Sequence, residues 1–373
     1  MLEKNLNLVN NAFKEYYFKN FELVEIPTRI SEREFGYQKF NEGMIRHLSI
    51  KDVKELHLLL MTKSPSDIYC SNAYYSFPNL SMSEKDWKGA DLIFDIDAKD
   101  LNLNCRTSHT FYSCTSCQSI AGTRSNCTVC GSTKLETISL ACKNCVTESK
   151  KEVMKLLEIL IEDFGIKKEE IKIYFSGKEG FHIYVVNLDY QTLGSRERAD
   201  LADYIMFNGI LPETLGVSKQ TNSKSTLPDI DEGGWRGRIA KEMFGSKFKR
   251  TKIVHEIQSG GYFVFQAKLL DWKSKLGVSI DSKVTMDIHR IFRLGGTINS
   301  KSGFSKIVCN DLKNFDPFSD ACLLDDEKVE IIANCPISFK LKNKKYGPYE
   351  KEKIIVPKHV AVYLICKGCE DVC

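Results

Sequence analysis

The stretch 90–97, with the sequence ADLIFDID, constrains the fold of this chain more than any other part of it. Its alternation predicts a short buried β-strand, with three apolar side chains on one face and with Asp95 and Asp97 on the other. Two carboxylates at this spacing repel each other when buried, and a shared divalent cation removes that repulsion. Oxygen ligands of this kind favour Mg²⁺ or Mn²⁺. A strand end whose two carboxylates simply face water gives the same pattern.

The composition fits a globular chain with two or three cores, or with one large core. The chain has 373 residues, of which 42% are hydrophobic and 27% are charged, as in ordinary soluble proteins. A formal net charge of +4 permits an anionic partner without requiring one. Because neither a signal peptide nor a membrane-spanning apolar run is found, we expect an intracellular protein that does not enter a membrane.

The cysteines point to zinc in the segment 105–145. Six of the 14 cysteines form three C-x-x-C pairs there, a spacing that in an intracellular chain indicates zinc ligation rather than disulfides. The segment is poor in large apolar residues, so it needs a metal to fold. The spacing predicts two ligand sets, Cys114, Cys117, Cys127 and Cys130, and Cys105, His109, Cys142 and Cys145. A set made of Cys105, His109, Cys114 and Cys117 is also possible, and the number of zinc ions, one or two, stays open.

Two further segments carry groups that bind phosphate. In SGKEGFH at 176–182, a turn with two glycines lets backbone N–H groups converge with Ser176, Lys178 and His182, although an ordinary hairpin has the same pattern. A later segment combines carboxylates and cations around a glycine pair, with Asp281, Asp287, Arg290, Arg293 and Lys301.

The remaining elements follow from periodicity. Residues 31–50 alternate like a hairpin, and Ser149 with Glu152 forms a capping box that predicts a helix start. The region 195–250 reads as a mainly helical insertion, and VAVYLI at 360–365 reads as a strand.

In this order the motifs resemble those of the small, catalytic subunit of archaeal and eukaryotic DNA primases, and the archaeal members most closely. The quoted motifs are REFGY at 33–37, MIRHLSI at 44–50, DLIFDID, SGKEGFH, IDSKVTMDIHRIFRL and VAVYLICKG. The resemblance implies an α+β fold with a mixed-sheet primase core at 1–104, 146–194 and 255–373. It also implies a zinc-binding insertion at 105–145 and a small helical lobe at 195–254. The family generally has one zinc site, to which Cys142 and Cys145 correspond, so Cys114–Cys130 would be an added ribbon.

The resemblance also implies roles for single residues. The family's catalytic aspartates correspond to Asp95, Asp97 and Asp281, with Asp287 as a second choice for the third position. Its nucleotide-phosphate contacts correspond to Arg46, Ser176, Lys178, His182, Arg293 and Lys301. Two positions depart from the family pattern, since Glu179 replaces a basic residue and Asn299 replaces a histidine. Both changes lower the positive charge expected near a triphosphate.

The function implied is that of a primase-type DNA-directed RNA polymerase, a nucleotidyltransferase that starts short primers on single-stranded DNA from nucleoside triphosphates. Its cofactors would be catalytic Mg²⁺ or Mn²⁺ and structural Zn²⁺, and its partner an iron–sulfur large subunit in a heterodimer. The location would be the archaeal cytoplasm at replication forks, or the nucleus in a eukaryote. Two alternatives stay open, a repair polymerase that extends existing ends and a non-catalytic zinc protein that binds nucleic acid. The sequence does not distinguish ribonucleotide from deoxynucleotide substrates.

Overall fold

The structure is a computed structural model that describes residues 3–117, 119–121, 125–217, 219, 228–244 and 247–370. Helices and strands alternate along this part of the chain without a simple repeat. The helices are α1 Glu3–Lys19, α2 Val53–Lys63, α3 Arg106–His109, α4 Lys143–Glu162, α5 Leu188–Gln191, α6 Ser195–Ile205, α7 Gly234–Phe244, α8 Lys247–Leu276, α9 Ser282–Met286, α10 Pro317–Asp320 and α11 Lys358–Cys366. None of the helices described here combines the length and apolar character needed to cross a bilayer.

The strands form small antiparallel sheets rather than one continuous sheet. They are β1 Glu34–Gln38, β2 Ile45–Ser49, β3 Asp67–Ser71, β4 Ala73–Tyr75, β5 Trp87–Ala90, β6 Leu92–Asp97, β7 Thr110–Cys114, β8 Ile120–Ala121, β9 Leu135–Ser139, β10 Ile171–Phe175, β11 Gly180–Val185, β12 Ile291–Arg293, β13 Ile307–Val308, β14 Lys328–Cys335, β15 Phe339–Leu341, β16 Lys344–Tyr346 and β17 Tyr349–Pro357. The mixture of helices and sheets confirms the predicted α+β class.

Two four-stranded sheets frame the centre of the molecule. One has the order β12-β3-β1-β2 and contains the predicted hairpin, β1 with β2. The other has the order β13-β10-β11-β6 and contains the ADLIFDID strand at its edge. The side chain of Phe292 on β12 lies against the rings of His182 and Tyr184 on β11, so the two sheets meet through these aromatic contacts. The remaining pairs are β4 with β5, β14 with β17 and β15 with β16, while β8-β7-β9 builds the cysteine-rich segment.

The apolar face of the second sheet packs against α4. Phe94 on β6 and Phe181 on β11 are fully buried, as are Leu156 and Leu160 on α4. The helix begins at Lys143, so the predicted capping box is wrong: Ser149 lies inside the helix and is buried. Because α4 begins within the cysteine-rich segment, the Ser-x-x-Glu spacing lies inside the helix and does not cap it.

The C-terminal segment is also a helix, so the predicted strand at 360–365 is wrong. Helix α11 is buried on all sides, because every residue from Lys358 to Ile365 is buried. A helix without an exposed face shows no 3.6-residue periodicity, and its β-branched residues then resemble a strand. The signals that mark a helix stand at its ends, where Pro357 precedes it and Gly368 follows with a positive φ.

The described part of the region 195–254 contains the helices α6 and α7 and the first residues of α8. Helix α6 is attached to the sheet that carries β6, because the fully buried Arg198 donates hydrogen bonds to the backbone oxygens of Ala90 and Asp91. Buried side chains of α6 and α7 join the same apolar cluster as α4. Residues 218, 220–227 and 245–246 of this region lie outside the described residues. The domain boundaries themselves remain a prediction.

Candidate active site and metal-binding groups

The ADLIFDID strand, β6, pairs with β11, the strand that begins within the SGKEGFH turn. In the register of β6 with β11, Asp95 lies opposite His182 and Asp97 lies opposite Gly180. A Cβ atom at position 180 would lie only 2.2 Å from Asp97 Oδ1, so glycine is required for this close approach. The two motifs singled out in the sequence therefore form one site.

Asp281 joins this site from a distant part of the chain. Its backbone N–H donates to the carbonyl oxygen of Asp95 at 3.0 Å, which places the start of α9 beside β6. Its Oδ1 accepts from the backbone N–H groups of Lys283 and Val284 and so caps α9. Asp287 lies at the other end of α9, where its Oδ1 accepts from the backbone of His289. Of the two aspartates considered for the third position, Asp281 is the one beside β6.

Burial and like charge act together on Asp95. Burial, together with the carboxylates of Asp97 and Asp281, raises the pKa of Asp95 to about 7, although the cations Lys99 and Arg290 oppose the rise. Lys99 forms an ion pair with Asp97 at 2.7 Å. Asp95 Oδ1 is buried and accepts no hydrogen bond within the described residues. A divalent cation would satisfy that oxygen and remove the repulsion, so the donor set fits Mg²⁺ or Mn²⁺.

His182 is held neutral beside this carboxylate. Its Nε2 lies 3.5 Å from Asp95 Oδ1, beyond good hydrogen-bond distance. Burial places the pKa of His182 well below its ordinary value, and the charges of Lys306, Arg293 and Arg290 add to this effect. His182 thus presents a neutral imidazole to the site at physiological pH.

Lys306 is a buried cation that the sequence reasoning missed. Its ammonium donates to Tyr184 Oη at 2.9 Å and to the carbonyl of Arg293 at 2.8 Å, and lies over the rings of Tyr174 and Tyr184. Burial lowers its pKa to about 7. Its only signal in the sequence is a lysine directly before the apolar residues 307–309, which is equally typical of an edge strand.

The predicted phosphate turn packs against the loop that follows β12. Ser302 Oγ donates to the backbone oxygen of Gly177, and Asn299 lies beside the same glycine. Ser176 Oγ is buried and has no hydrogen-bond partner in the described part of the chain. Lys178 is half-buried and Lys301 is exposed. The structure therefore brings the predicted residues of the two loops together.

The two predicted arginines are held by buried acids that the sequence reasoning did not assign. Arg293 pairs with Asp67 at 2.6 Å and donates to the carbonyl of Ile298. Arg46 lies on β2, the outer strand of the first sheet, and pairs with the fully buried Glu34 at 2.9 Å. Of these two, only Arg293 is among the charges that act on His182. An acidic residue at the first position of a strand, as Glu34 is in β1 and Asp67 in β3, is the signal that could have shown these anchors.

The cysteine-rich segment brings its ligand atoms together in two groups. These groups, each with all ligand atoms within 4.8 Å of one another, are Cys105, His109, Cys142 and Cys145, and Cys114, Cys117, Cys127 and Cys130. The Sγ atoms of Cys114 and Cys130 are 3.6 Å apart, and those of Cys105 and Cys145 are 3.7 Å apart. Tetrahedral zinc with Zn–S bonds of about 2.3 Å requires sulfur atoms about 3.8 Å apart, so both groups fit zinc. The alternative set that joined Cys105 and His109 to Cys114 and Cys117 is not one of these groups.

A third group of carboxylates within this distance limit has a simpler explanation. Glu15, Asp325 and Glu327 converge, but the ammonium of Lys358 contacts all three at 2.8, 3.0 and 2.6 Å. The lysine therefore occupies the place of a cation. The carboxylates of Asp95, Asp97 and Asp281 are not one of these groups, so their oxygen atoms do not all lie within 4.8 Å of one another.

Comparison with known proteins decides the family. A sequence model of the DNA primase small subunit matches residues 133–310. The DNA primase small subunit PriS of Nitrosopumilus maritimus is 59% identical over 367 residues, which cover 98% of both chains. The chain belongs to the DNA primase small subunit family. The PriS of Cenarchaeum symbiosum is 48% identical over 99% of both chains.

Membership of this family confirms the resemblance deduced from the ordered motifs, including its archaeal character. Among solved structures, the chain is similar to the polymerase domain of Mycobacterium tuberculosis Ligase D in complex with DNA. The TM-score is 0.39 with 9% sequence identity, and the match covers 82% of this chain and 83% of that one.

Proposed function

We propose that this chain is the catalytic subunit of a DNA primase, which joins nucleotides into short primers on single-stranded DNA and releases pyrophosphate. Besides membership of the primase small subunit family, one observation supports the proposal. The backbone hydrogen bond from Asp281 to Asp95 brings a third carboxylate to the strand that carries Asp95 and Asp97. On the strand pair Asp95 lies opposite His182, and the cations Lys306, Arg293 and Arg290 are close enough to His182 to lower its pKa.

Asp95, Asp97 and Asp281 would hold Mg²⁺ or Mn²⁺. Bound there, such cations supply the Lewis acidity that activates the 3′-hydroxyl of the growing strand and stabilises the departing pyrophosphate. The fit rests on the unsatisfied Oδ1 of Asp95 and on the raised pKa of its carboxyl group.

The triphosphate would lie against the two packed loops. Lys178, Lys301 and Arg293 supply positive charge, and Ser176 offers a buried hydroxyl that has no other partner in the described structure. Neutral His182 would act as a hydrogen-bond donor rather than as a cation. Arg46 lies on the outer strand of the first sheet, where its ion pair with Glu34 holds it in place. From that side it would contact the substrate.

The remaining partners follow from the family and the composition. Single-stranded DNA would be held through its backbone, so binding should weaken strongly with salt and depend little on sequence. Zinc in the two cysteine-rich groups would be structural, because four protein ligands leave no open coordination position. An iron–sulfur large subunit would complete a heterodimer for efficient initiation, in the cytoplasm of an archaeal cell at replication forks.

Primer synthesis on a circular single-stranded DNA tests the proposal, because a circle offers no end to extend. The purified chain, alone and with its large subunit, is incubated with labelled nucleoside triphosphates and Mg²⁺ or Mn²⁺. We expect short labelled products that disappear with a chelator and in Asp95→Asn. Products only on a pre-annealed primer would indicate the repair polymerase instead. Nucleic-acid binding with no products in either assay would indicate the non-catalytic alternative.

A further inference from the structure

The departure at Glu179 has a structural explanation. Glu179 belongs to the turn between Ser176 and Gly180, where positive charge was expected beside a triphosphate. Its side chain is only 13% exposed, and its Oε2 lies 3.5 Å from Nη2 of Arg106. The carboxylate is thus turned toward the cysteine-rich segment and is compensated there.

Arg106 lies within one of the two groups of possible metal ligands in that segment. It directly follows Cys105 and begins α3, which ends at His109, so it lies between two members of one cysteine–histidine group. Its guanidinium is 26% exposed, and its Nε is buried without a hydrogen-bond partner in the described chain. The position of this arginine is therefore set by the metal-binding group whose members it separates.

A second cation acts on the same carboxylate from the C-terminal helix. Lys367 follows α11, and Glu179 is the strongest of the charges that act on it. Burial nevertheless lowers the pKa of Lys367 to about 8. Glu179 therefore interacts with two cations from outside the catalytic strands. Arg106 belongs to the cysteine-rich segment, and Lys367 lies at the end of the C-terminal helix.

The position of Glu179 also sets the geometry of the active site. Its backbone oxygen accepts from the N–H of Ala98, directly after Asp97. The next residue, Gly180, is packed against Asp97, and Ser176 donates its backbone N–H to the oxygen of Gly180. A shift of Glu179 would move both the phosphate turn and the strand end that carries Asp97.

We infer that Glu179 is a positioning residue, whose partly buried ion pair with Arg106 fastens the phosphate turn to the cysteine-rich segment and thereby sets nucleotide affinity. This inference rests on the proposed function. The contact is made only once, between Oε2 and Nη2, while Oε1 of Glu179 and Nε of Arg106 have no partner among the described residues. Losing either side chain therefore breaks the connection and leaves the other charge partly buried without this partner.

A double-mutant cycle with nucleotide binding as the readout tests the inference. The variants are Glu179→Gln, Arg106→Gln, their combination and the reversed pair Glu179→Arg with Arg106→Glu. Each is titrated with a non-hydrolysable nucleoside triphosphate analogue in Mg²⁺, and its kcat, KM, zinc content and melting temperature are measured. Asp163→Asn is the matched control, because its carboxylate is equally buried and pairs with Arg238 at 2.8 Å on another surface.

We expect each single variant to weaken nucleotide binding about tenfold, with kcat at saturation and zinc content nearly unchanged. The combined variant should also lose about tenfold rather than a hundredfold, and the reversed pair should recover only part of the affinity, because Lys367 would repel an arginine at position 179. Asp163→Asn should lower the melting temperature without this change in affinity.

Three results would overturn the inference. They are wild-type affinity in Glu179→Gln, losses that multiply in the combined variant, and an equal loss of affinity in Asp163→Asn. In each of these cases the wild-type chain still binds nucleotide, so the proposed function stands. A wild-type chain that binds no nucleotide overturns the proposed function, and the role of the ion pair with it.

Discussion

Replacing Asp95 by asparagine should make the protein more stable while it removes the activity. In the folded chain without divalent cations, burial and the neighbouring carboxylates raise the pKa of Asp95 from 3.8 to about 7. A group with a raised folded-state pKa contributes stability below its unfolded pKa, and that contribution is lost as the pH rises through the folded pKa. The ionised carboxylate therefore costs about 4 kcal/mol above pH 7, at about 1.4 kcal/mol per pKa unit. Asparagine keeps the shape and removes the charge.

Urea unfolding in a chelating buffer measures this effect. At pH 8 we expect Asp95→Asn to raise the free energy of unfolding by about 2–4 kcal/mol, the upper value being the full electrostatic cost. The gain should shrink as the pH falls toward 4, because Asp95 is then protonated in the folded wild type. Asp200→Asn on α6, an exposed aspartate, serves as the control and should change stability little at either pH. If Asp95→Asn is no more stable than wild type at pH 8, or gains equally at pH 4, the electrostatic reasoning is wrong.

Four further outcomes are expected. Mn²⁺ at saturating concentration should raise the melting temperature of the wild type, measured by calorimetry at pH 8, and should leave that of Asp95→Asn unchanged. Cys114→Ser with Cys117→Ser should remove one equivalent of zinc per chain by elemental analysis and lower the melting temperature, whereas unchanged zinc content would contradict the ligand set. Lys306→Met should stabilise the chain most at pH 6, because burial lowers the pKa of Lys306 from 10.5 to about 7 and its ammonium is therefore costly below pH 7. In urea unfolding, the gain in the free energy of unfolding of Lys306→Met, at most about 5 kcal/mol, should fall as the pH rises from 7 toward 10. A gain independent of pH would refute the charge argument. Asp281→Asn should lower primer synthesis at least a hundredfold and Asp287→Asn less than tenfold, and equal losses would remove the distinction between the two.

Local patterns in the sequence were sufficient where a strand or turn has one polar face. The turn of Ser176 to His182 is marked by its two glycines. The strand of Asp95 and Asp97 and the hairpin at 31–50 are marked by alternating residues. They were found because period-two patterns survive without knowledge of the tertiary fold. The grouping of cysteines also followed from spacing alone, since C-x-x-C pairs are local.

The errors arose where tertiary contacts replace local signals. Helix α11 is buried on every side, so its residues carry no helical periodicity, and Ser149 resembles a cap although the helix begins at Lys143. The buried anchors Glu34 and Asp67 each pair with a cation distant in sequence, which spacing alone does not reveal. The same holds for Glu179, because Arg106, the cation that compensates its charge, is distant in sequence.

The central claim is that carboxylates from two distant parts of the chain share divalent cations beside a nucleotide. Counting bound Mn²⁺ by electron paramagnetic resonance, with a non-hydrolysable nucleoside triphosphate present, tests it most directly. We predict two Mn²⁺ ions per wild-type chain and per Asp287→Asn chain, and fewer than one in Asp95→Asn and Asp281→Asn. Undiminished Mn²⁺ binding in Asp281→Asn would contradict the claim.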